Sequence, residues 1–263
     1  MYSKEELQDG LNTNIIGTKL FVFESIDSTN TCAKTLAETG MDDGAVVFAD
    51  FQSEGKGRLG RSWLSEPGKN LLFSCIIRPP MSKEQSGMLT FFAAVAVARA
   101  LESFTKLKVE CKWPNDLLLL GKKCSGILLE SSLGKEQLEY SVIGIGVNAN
   151  QDDFQTDALS NATSLKQVMG RTVDRKELFQ QILREIDTLY ADLRLGHISR
   201  ILLEWNNRSS MFGRDVTVVR EGVTLNGKAV GLNTDGGLVL ETKAGKEIVY
   251  AGDVTVIANG KQG

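Results

Sequence analysis

Two rhythms of apolar residues alternate along most of the chain. Cys32, Ala33, Leu36 and Ala37 fall at helical spacing between Ser28, suited to an N-cap, and Gly40, suited to a C′ stop. Residues 44–52 (GAVVFADFQ) and 70–78 (NLLFSCIIR) are short apolar runs that read as strands, the second ended by Pro79-Pro80. The stretch 1–23, with Leu7, Leu11, Ile15 and Ile16, predicts a short helix running into a strand. Residues 84–104 predict a long helix packed on a sheet. A short strand at 109–112 follows, then a hairpin of 117–120 and 124–130 about Gly121-Lys122, and a strand at 138–148. Asp174, with Glu177 three residues on, predicts a capping box. Behind it Leu178, Ile182, Ile186 and Leu189 form the buried stripe of a helix, and a further helix starts near residue 198.

From Arg214 the pattern becomes short alternating strands (VTVV, VTLNGKAVGL, GLVLET, EIVYA, VTVI) with turns at 235–237 and 244–245. That is the signature of a small all-β barrel. The polar stretch 206–210 is the expected boundary. The chain therefore reads as an α+β domain over 1–208 and a barrel over 209–263. Its 263 residues suit one or two domains at about 150 residues each.

Composition narrows the class. With 42% hydrophobic and 24% charged residues, the chain is neither disordered nor a disulfide scaffold. A net charge of −3 gives no sign of nucleic-acid binding, so no DNA partner is expected. The single histidine, His197, leaves no His-rich zinc site and makes any His-based triad depend on one residue; it reads as a surface residue at a helix start. None of the four cysteines lies in C-x-x-C, and the opening MYSKEELQDG lacks an apolar signal segment. Reduced thiols in a cytoplasm are the reading. The apolar run 89–98 ends at Arg99, short of the about 20 residues of a bilayer span, so no membrane is expected.

Three segments carry candidate chemistry. The first is the loop Gln52-Ser53-Glu54-Gly55-Lys56-Gly57-Arg58-Leu59-Gly60-Arg61. Its glycines have G-x-G-x-x-G spacing, but Pro67 and Gly68 follow instead of a helix, so a dinucleotide turn is disfavoured. Glycines admit backbone N–H groups close to an anion, and Lys56, Arg58 and Arg61 offset its charge. The competing reading is a solvated surface loop. The second segment is Lys112-Trp113-Pro114-Asn115-Asp116, with Lys123 opening a strand of small residues, Cys124-Ser125-Gly126. Room beside a lysine suits a ligand; a turn with structural Asx residues and a hairpin lysine is the plain alternative. The third is Gly144-Ile145-Gly146-Val147-Asn148 at a strand end, where glycines mark close approach of a ligand or a bulge.

In this order, and with Asp27-Ser28-Thr29-Asn30, Gly126-Ile127-Leu128 and Ala162-Thr163-Ser164-Leu165, these segments resemble the biotin–protein ligases over nearly the whole chain. The usual loop of that family reads G-R-G-R-x-G-R; here Lys56 replaces the first arginine, keeping charge but not bidentate geometry. The resemblance implies a mixed sheet packed with helices, as in class II synthetases, followed by an SH3-like barrel. It implies adenylation of biotin by ATP with magnesium, then transfer to one lysine of a biotin carboxyl carrier domain, as in acetyl-CoA carboxylase. Arg58 and Lys123 are the implied catalytic residues. Ser28, Thr29, Asn30, Gln52, Lys56 and Gly57, with Arg58 and Lys123, are the implied biotin-binding positions. Gly55, Arg58, Arg61, Trp63, Lys112, Asn115, Asp116 and Asn148 are implied for ATP, Trp63 beside the adenine and Asn148 at its edge. Two roles stay open for Asp116: positioning magnesium, or accepting a proton from the incoming amine. Only 27 residues precede Ser28, too few for the three-helix DNA-binding module of some family members, so the monofunctional form is expected. Pairing of two copies through sheet edges is left open. A lipoate–protein ligase or related acyltransferase is the alternative enzyme, and a non-catalytic interaction protein the alternative of another class.

Overall fold

The computed structural model describes residues 1–154, 161–220 and 222–257. Helix α1 (Lys4–Gln8) is closed by a capping box between Ser3 and Glu6. Strand β1 (Leu20–Ile26), helix α2 (Thr29–Glu38) and strand β2 (Val46–Gln52) form a parallel crossover unit. Strand β3 (Leu71–Ile77) follows, buried at every position because both faces of the sheet are covered there. Helix α3 (Leu89–Thr105) leads to strands β4 (Val109–Lys112), β5 (Asp116–Leu119), β6 (Lys122–Leu133) and β7 (Leu138–Val147). The sheet order is β1-β2-β3-β7-β6-β5-β4, parallel only between β1 and β2, which is the mixed sheet expected. Helices α4 (Leu165–Met169), α5 (Arg175–Arg194) and α6 (Ile198–Arg208) complete this layer.

One face of the sheet is closed by α3 and α5. Ala93, Ala94, Ala96, Ala98 and Ala100 make α3 thin, and Phe179 of α5 sets its ring edge-on against Phe48 and Phe73. The predicted α5 stripe of Leu178, Ile182, Ile186 and Leu189 is buried. The segment Lys83–Thr105 is long and apolar enough to cross a membrane by length and composition, yet two thirds (67%) of its most apolar 18 residues are buried inside the protein, as suits a core helix. The opposite face is covered only in part, by Ala33 and Ala37 of α2 over Val47, Ile76 and Val142. The uncovered remainder forms the floor of a cavity.

The second sheet contains β8 (Asp215–Arg220), β9 (Val223–Leu232), β10 (Leu238–Thr242), β11 (Gly245–Val249) and β12 (Asp253–Val256), in the order β11-β10-β9-β8-β12. It is the small antiparallel SH3-like unit expected, but not a closed barrel: among the described residues β11 pairs only with β10 and β12 only with β8. Its inner residues Val216, Val218, Leu238 and Leu240 belong to the same apolar cluster as α3 and α6. Trp113 Nε1 donates to Gly236 O across the two sheets at 3.2 Å.

Local expectations differ in three places. The helix predicted over 84–104 begins as a tighter 3-10 stretch, Lys83–Met88, with Gly87 just before the change of pitch. Asp174 caps α5 by accepting from Glu177 N at 3.1 Å, without the reciprocal half of a capping box. Ser28 stands at the N-cap position of α2, but its hydroxyl makes no capping bond.

Candidate active site

A cavity of about 560 Å³ opens on the uncovered face of the large sheet. That volume suits a ligand of a few tens of atoms. Its floor is flat because glycines face one another across the strands. Gly126 of β6 pairs with Gly146 of β7, and Gly144 follows two residues before. A Cβ on Gly146 would stand 2.5 Å from Trp63 Cε2, one on Gly126 2.8 Å from Trp63 Cζ3, and one on Gly144 2.0 Å from Asn30 Oδ1. The indole of Trp63 thus lies directly on the backbone, with its Nε1 buried and without a hydrogen-bond partner among the described residues.

The glycine loop forms the roof. It folds back as a narrow hairpin: Trp63 N donates to Gly55 O at 2.8 Å, and Gly57 N to Arg61 O at 2.7 Å. A Cβ on Gly55 would meet Trp63 O at 2.4 Å, so that glycine is required by the turn itself. Of the expected ATP-side positions, Gly55 alone stands outside the cavity wall. Three cations tie the loop down. Lys56 Nζ donates to Thr31 Oγ1 of α2 at 2.8 Å, Arg58 Nη1 to Asn115 Oδ1 at 3.3 Å, and Arg61 Nη2 to Asp253 Oδ1 of the small sheet at 2.8 Å. Burial pulls the Arg58 guanidinium below its ordinary value, and Asp253 opposes that shift. An arginine stays charged under such a shift.

The cavity has two chemically distinct ends. One is uncharged: Ser28, Thr29 and Asn30 at the start of α2, with Gln52 at the end of β2. Thr29 N and Oγ1 both donate to Gln52 Oε1, at 2.7 and 2.9 Å. Asn30 is buried with both ends of its amide engaged, by Glu130 and by Ser74. The other end is charged. Lys123 Nζ lies 2.6 Å from Asp116 Oδ1 and 5.5 Å from the Trp63 ring centroid. Lys112 and Asn115 flank it, Asn115 held by its Nδ2 donating to Ile127 O at 2.8 Å. Asn148 lines the same region and donates from Nδ2 to Thr163 O at 3.1 Å. The segment 161–163 runs beside β6: Lys123 N donates to Asn161 O and Thr163 N to Lys123 O, which fixes the base of the lysine.

The site residues read from sequence therefore converge, apart from Gly55. His197 lies elsewhere, at the start of α6, with Nδ1 3.6 Å from Asp192 Oδ1. Burial pushes the Cys124 thiol up to about 12, so the cysteine beside Lys123 is no nucleophile. Sequence reasoning missed the small sheet's share of the wall, Asp253, Val254 and Thr255, and the polar residues Ser74 and Glu130 that meet α2 on the same face of the sheet. Among the described residues no three His, Cys, Asp or Glu side chains converge as a metal site. Asp116 and Asp253, both engaged by cations, are the acidic residues of the wall. That suits a magnesium ion held chiefly by phosphates rather than by a protein cage.

Comparison with known proteins agrees with this geometry. A model of the biotin/lipoate A/B protein ligase family matches residues 22–148, and one of the biotin protein ligase C-terminal domain matches residues 211–256. The bifunctional ligase/repressor BirA of Bacillus subtilis is 35% identical over 254 residues, covering 96% of this chain and 78% of that protein. The biotin–[acetyl-CoA-carboxylase] ligase of Paracoccus denitrificans is 31% identical over 233 residues, 87% of this chain and 96% of that one. Among solved structures, the Aquifex aeolicus biotin protein ligase in complex with biotin and ATP superimposes with a TM-score of 0.76 at 30% identity, over 91% of this chain and 99% of that one.

Proposed function

This chain belongs to the biotin/lipoate A/B protein ligase family, and from that premise we infer that it is a biotin–[biotin carboxyl carrier protein] ligase. It activates biotin with ATP as biotinyl-5′-AMP and transfers the biotin to a lysine of a carrier protein. The observation that carries this reading is one cavity with an uncharged hydrogen-bonding end, a cationic end and an indole on a glycine floor between them.

The chemistry assigns roles along that cavity. The biotin carboxylate oxygen attacks the α-phosphorus, the bond to the bridging oxygen breaks, and pyrophosphate leaves. Two anions must meet, so the cost lies in their repulsion. Lys123 and Arg58, both in the cavity wall, are the cations assigned to that place: Lys123 would bridge carboxylate and α-phosphate, and Arg58, steadied by Asn115, would clamp their oxygens. Ser28, Thr29 and Gln52 face the ureido ring, with Gly57 of the loop over the bound acid and Lys56 holding that loop to α2. Trp63 and Asn148 face the adenine, and Arg61 and Lys112 the nucleotide's charge. Asp116 is the carboxylate that would hold magnesium alongside the ATP phosphates, where the ion supplies charge neutralisation. In the second step the carrier lysine's amine attacks the acyl carbon and AMP departs. We further propose the division 1–208 and 209–263, supported by the sheet change after α6; residues 155–160, 221 and 258–263 lie outside the described ones. A cytoplasmic setting is supported by four free cysteines. Neither DNA nor a membrane is proposed as a partner, and a second copy of the chain would be detected by its mass in solution.

The test is biotin-dependent exchange of labelled pyrophosphate into ATP, with lipoate as the control acid. Exchange with biotin alone is expected. Exchange with lipoate alone, or with neither acid, overturns the reading.

A further inference from the structure

At the uncharged end of the cavity, five side chains form one row of short polar contacts from β2 to β6. Thr29 N donates to Gln52 Oε1 at 2.7 Å, and Thr29 Oγ1 is 2.9 Å from the same oxygen. Thr29 Oγ1 is 2.8 Å from Ser74 Oγ, and Ser74 Oγ is 2.7 Å from Asn30 Oδ1. Asn30 Nδ2 donates to Glu130 Oε2 at 2.7 Å. Gly144 leaves the space Asn30 occupies, since a Cβ there would stand 2.0 Å from Asn30 Oδ1.

Both ends of the row have fixed polarity. A backbone N–H can only donate, so Gln52 presents its oxygen to Thr29. A carboxylate can only accept, so Asn30 turns its Nδ2 to Glu130 and its Oδ1 to Ser74. Three oxygen–oxygen contacts remain between these ends, and only the two hydroxyl protons of Ser74 and Thr29 are there to fill them. The row is one proton short, and it borders the cavity at Thr29, Asn30 and Gln52.

We propose that Glu130 is a positioning and specificity-determining residue for the acid substrate: by locking the Asn30 amide it keeps this row an acceptor for a ring N–H. The inference rests on the function proposed above and deepens it. A cyclic urea brings two N–H donors to such a row, whereas the dithiolane of lipoate brings none. If Asn30 were free to turn over, its Nδ2 would donate to Ser74, Ser74 to Thr29 and Thr29 to Gln52. Every contact would then hold a proton, and Thr29 Oγ1, already accepting from Ser74, would keep one lone pair rather than two for a ring N–H. A polar site made to match a donor discriminates strongly against a ligand that lacks it.

The experiment is a charge exchange read by pyrophosphate exchange kinetics. Glu130→Gln keeps the shape but allows either amide orientation, and Asn30→Asp sets two carboxylates against each other. Each is expected to raise the KM for biotin about tenfold or more, as loss of one charge-assisted hydrogen bond does, while the KM for ATP stays within about twofold. The double variant N30D/E130Q reinstates the acceptor row, because the carboxylate introduced at position 30 accepts both from Ser74 and from the amide introduced at position 130. Its biotin KM is expected to fall below that of either single variant, toward the wild-type value. The preference for biotin over biotin methylated at a ureido nitrogen should shrink in E130Q and return in the double variant. A merely structural role would leave that ratio unmoved. An active wild-type enzyme whose E130Q and N30D variants keep the wild-type biotin KM overturns the proposal, as does a double variant no better than either single one. A wild-type protein without biotin-dependent exchange overturns the functional reading itself. An unchanged ATP KM in the variants shows that the fold is intact.

Discussion

Replacing Gly146 by alanine tests whether the glycine floor sets the position of Trp63. The added Cβ would lie 2.5 Å from Trp63 Cε2, 2.7 Å from Cζ2 and 3.0 Å from Cδ2. Ordinary carbon contacts begin about 1 Å farther out, since the attractive well lies near 3.5–4.0 Å. The backbone of Trp63 is tied to Gly55 at 2.8 Å, so tilting the ring off the floor, alone or with the loop, relieves the contact. That moves the face proposed to stack on adenine, and it disturbs the Lys123 ammonium 5.5 Å from the ring centre. A displacement of about 1 Å in a positioning group costs on the order of 100-fold in rate. We therefore expect kcat/KM for ATP in pyrophosphate exchange to fall about 100-fold, with the melting temperature near wild type. Gly126→Ala meets Trp63 at 2.8 Å and otherwise the flexible end of Lys123 at 3.2 and 3.3 Å, so its loss should be smaller, about tenfold. Gly231→Ala, with nothing within 4 Å of its added carbon, is the control and should be silent. Trp205 lies outside the cavity but Trp113 lines it, so the part of an ATP-dependent change in tryptophan fluorescence that is lost in Trp63→Phe would report on Trp63. A folded Gly146→Ala enzyme with wild-type kcat/KM and fluorescence response would refute the reasoning.

Arg58→Ala should cut adenylate formation or let biotinyl-AMP escape, read as loss of exchange or as released intermediate; normal formation and retention would exclude the assigned role. Asp253→Ala removes a half-exposed ion pair with Arg61, so it should leave the melting temperature within about 1–2 °C but speed proteolytic cleavage in the loop 53–64. Biotin plus ATP should slow that cleavage in the wild type, and equal rates with and without ligands would count against closure of the loop. Hydrogen bonding to Arg99 holds the Glu204 carboxyl below its ordinary 4.5. A depressed folded value stabilises above the unfolded value and loses that contribution as pH falls through the folded one. Glu204→Gln should therefore lower the melting temperature at pH 7 and narrow its gap to wild type as the pH drops below about 4.5, which thermal melts across about pH 3–7 would check.

Much of the site was legible because its chemistry is local in the chain. The loop from Gly55 to Arg61 announces a tight turn with cations, and Lys112–Asp116 a turn rich in polar groups. Periodicity found α5 and its buried stripe, since burial of a helix face depends on spacing alone. What escaped is what depends on distant pairing. Glu130 reads as one acidic residue near the end of an apolar strand; only the β6–β7 register and the packing of α2 bring it to Asn30. Asp253 falls between two short strand runs with nothing local to mark it, and only the docking of the small sheet brings it to Arg61. Asn30, expected among the biotin contacts, lines the cavity, and only the structure shows its amide engaged at both ends by Glu130 and Ser74.

Spacing, glycine placement and charge along the chain thus determined the order of elements, the two-part plan and the family of chemistry, because each follows from residues near one another in sequence. The tertiary structure decided the rest: that the second unit is an open sheet, that three glycines from two strands make one flat floor, and that a five-residue row has one proton too few. Those properties belong to strand register and to the meeting of side chains far apart in the chain, and a linear pattern holds neither.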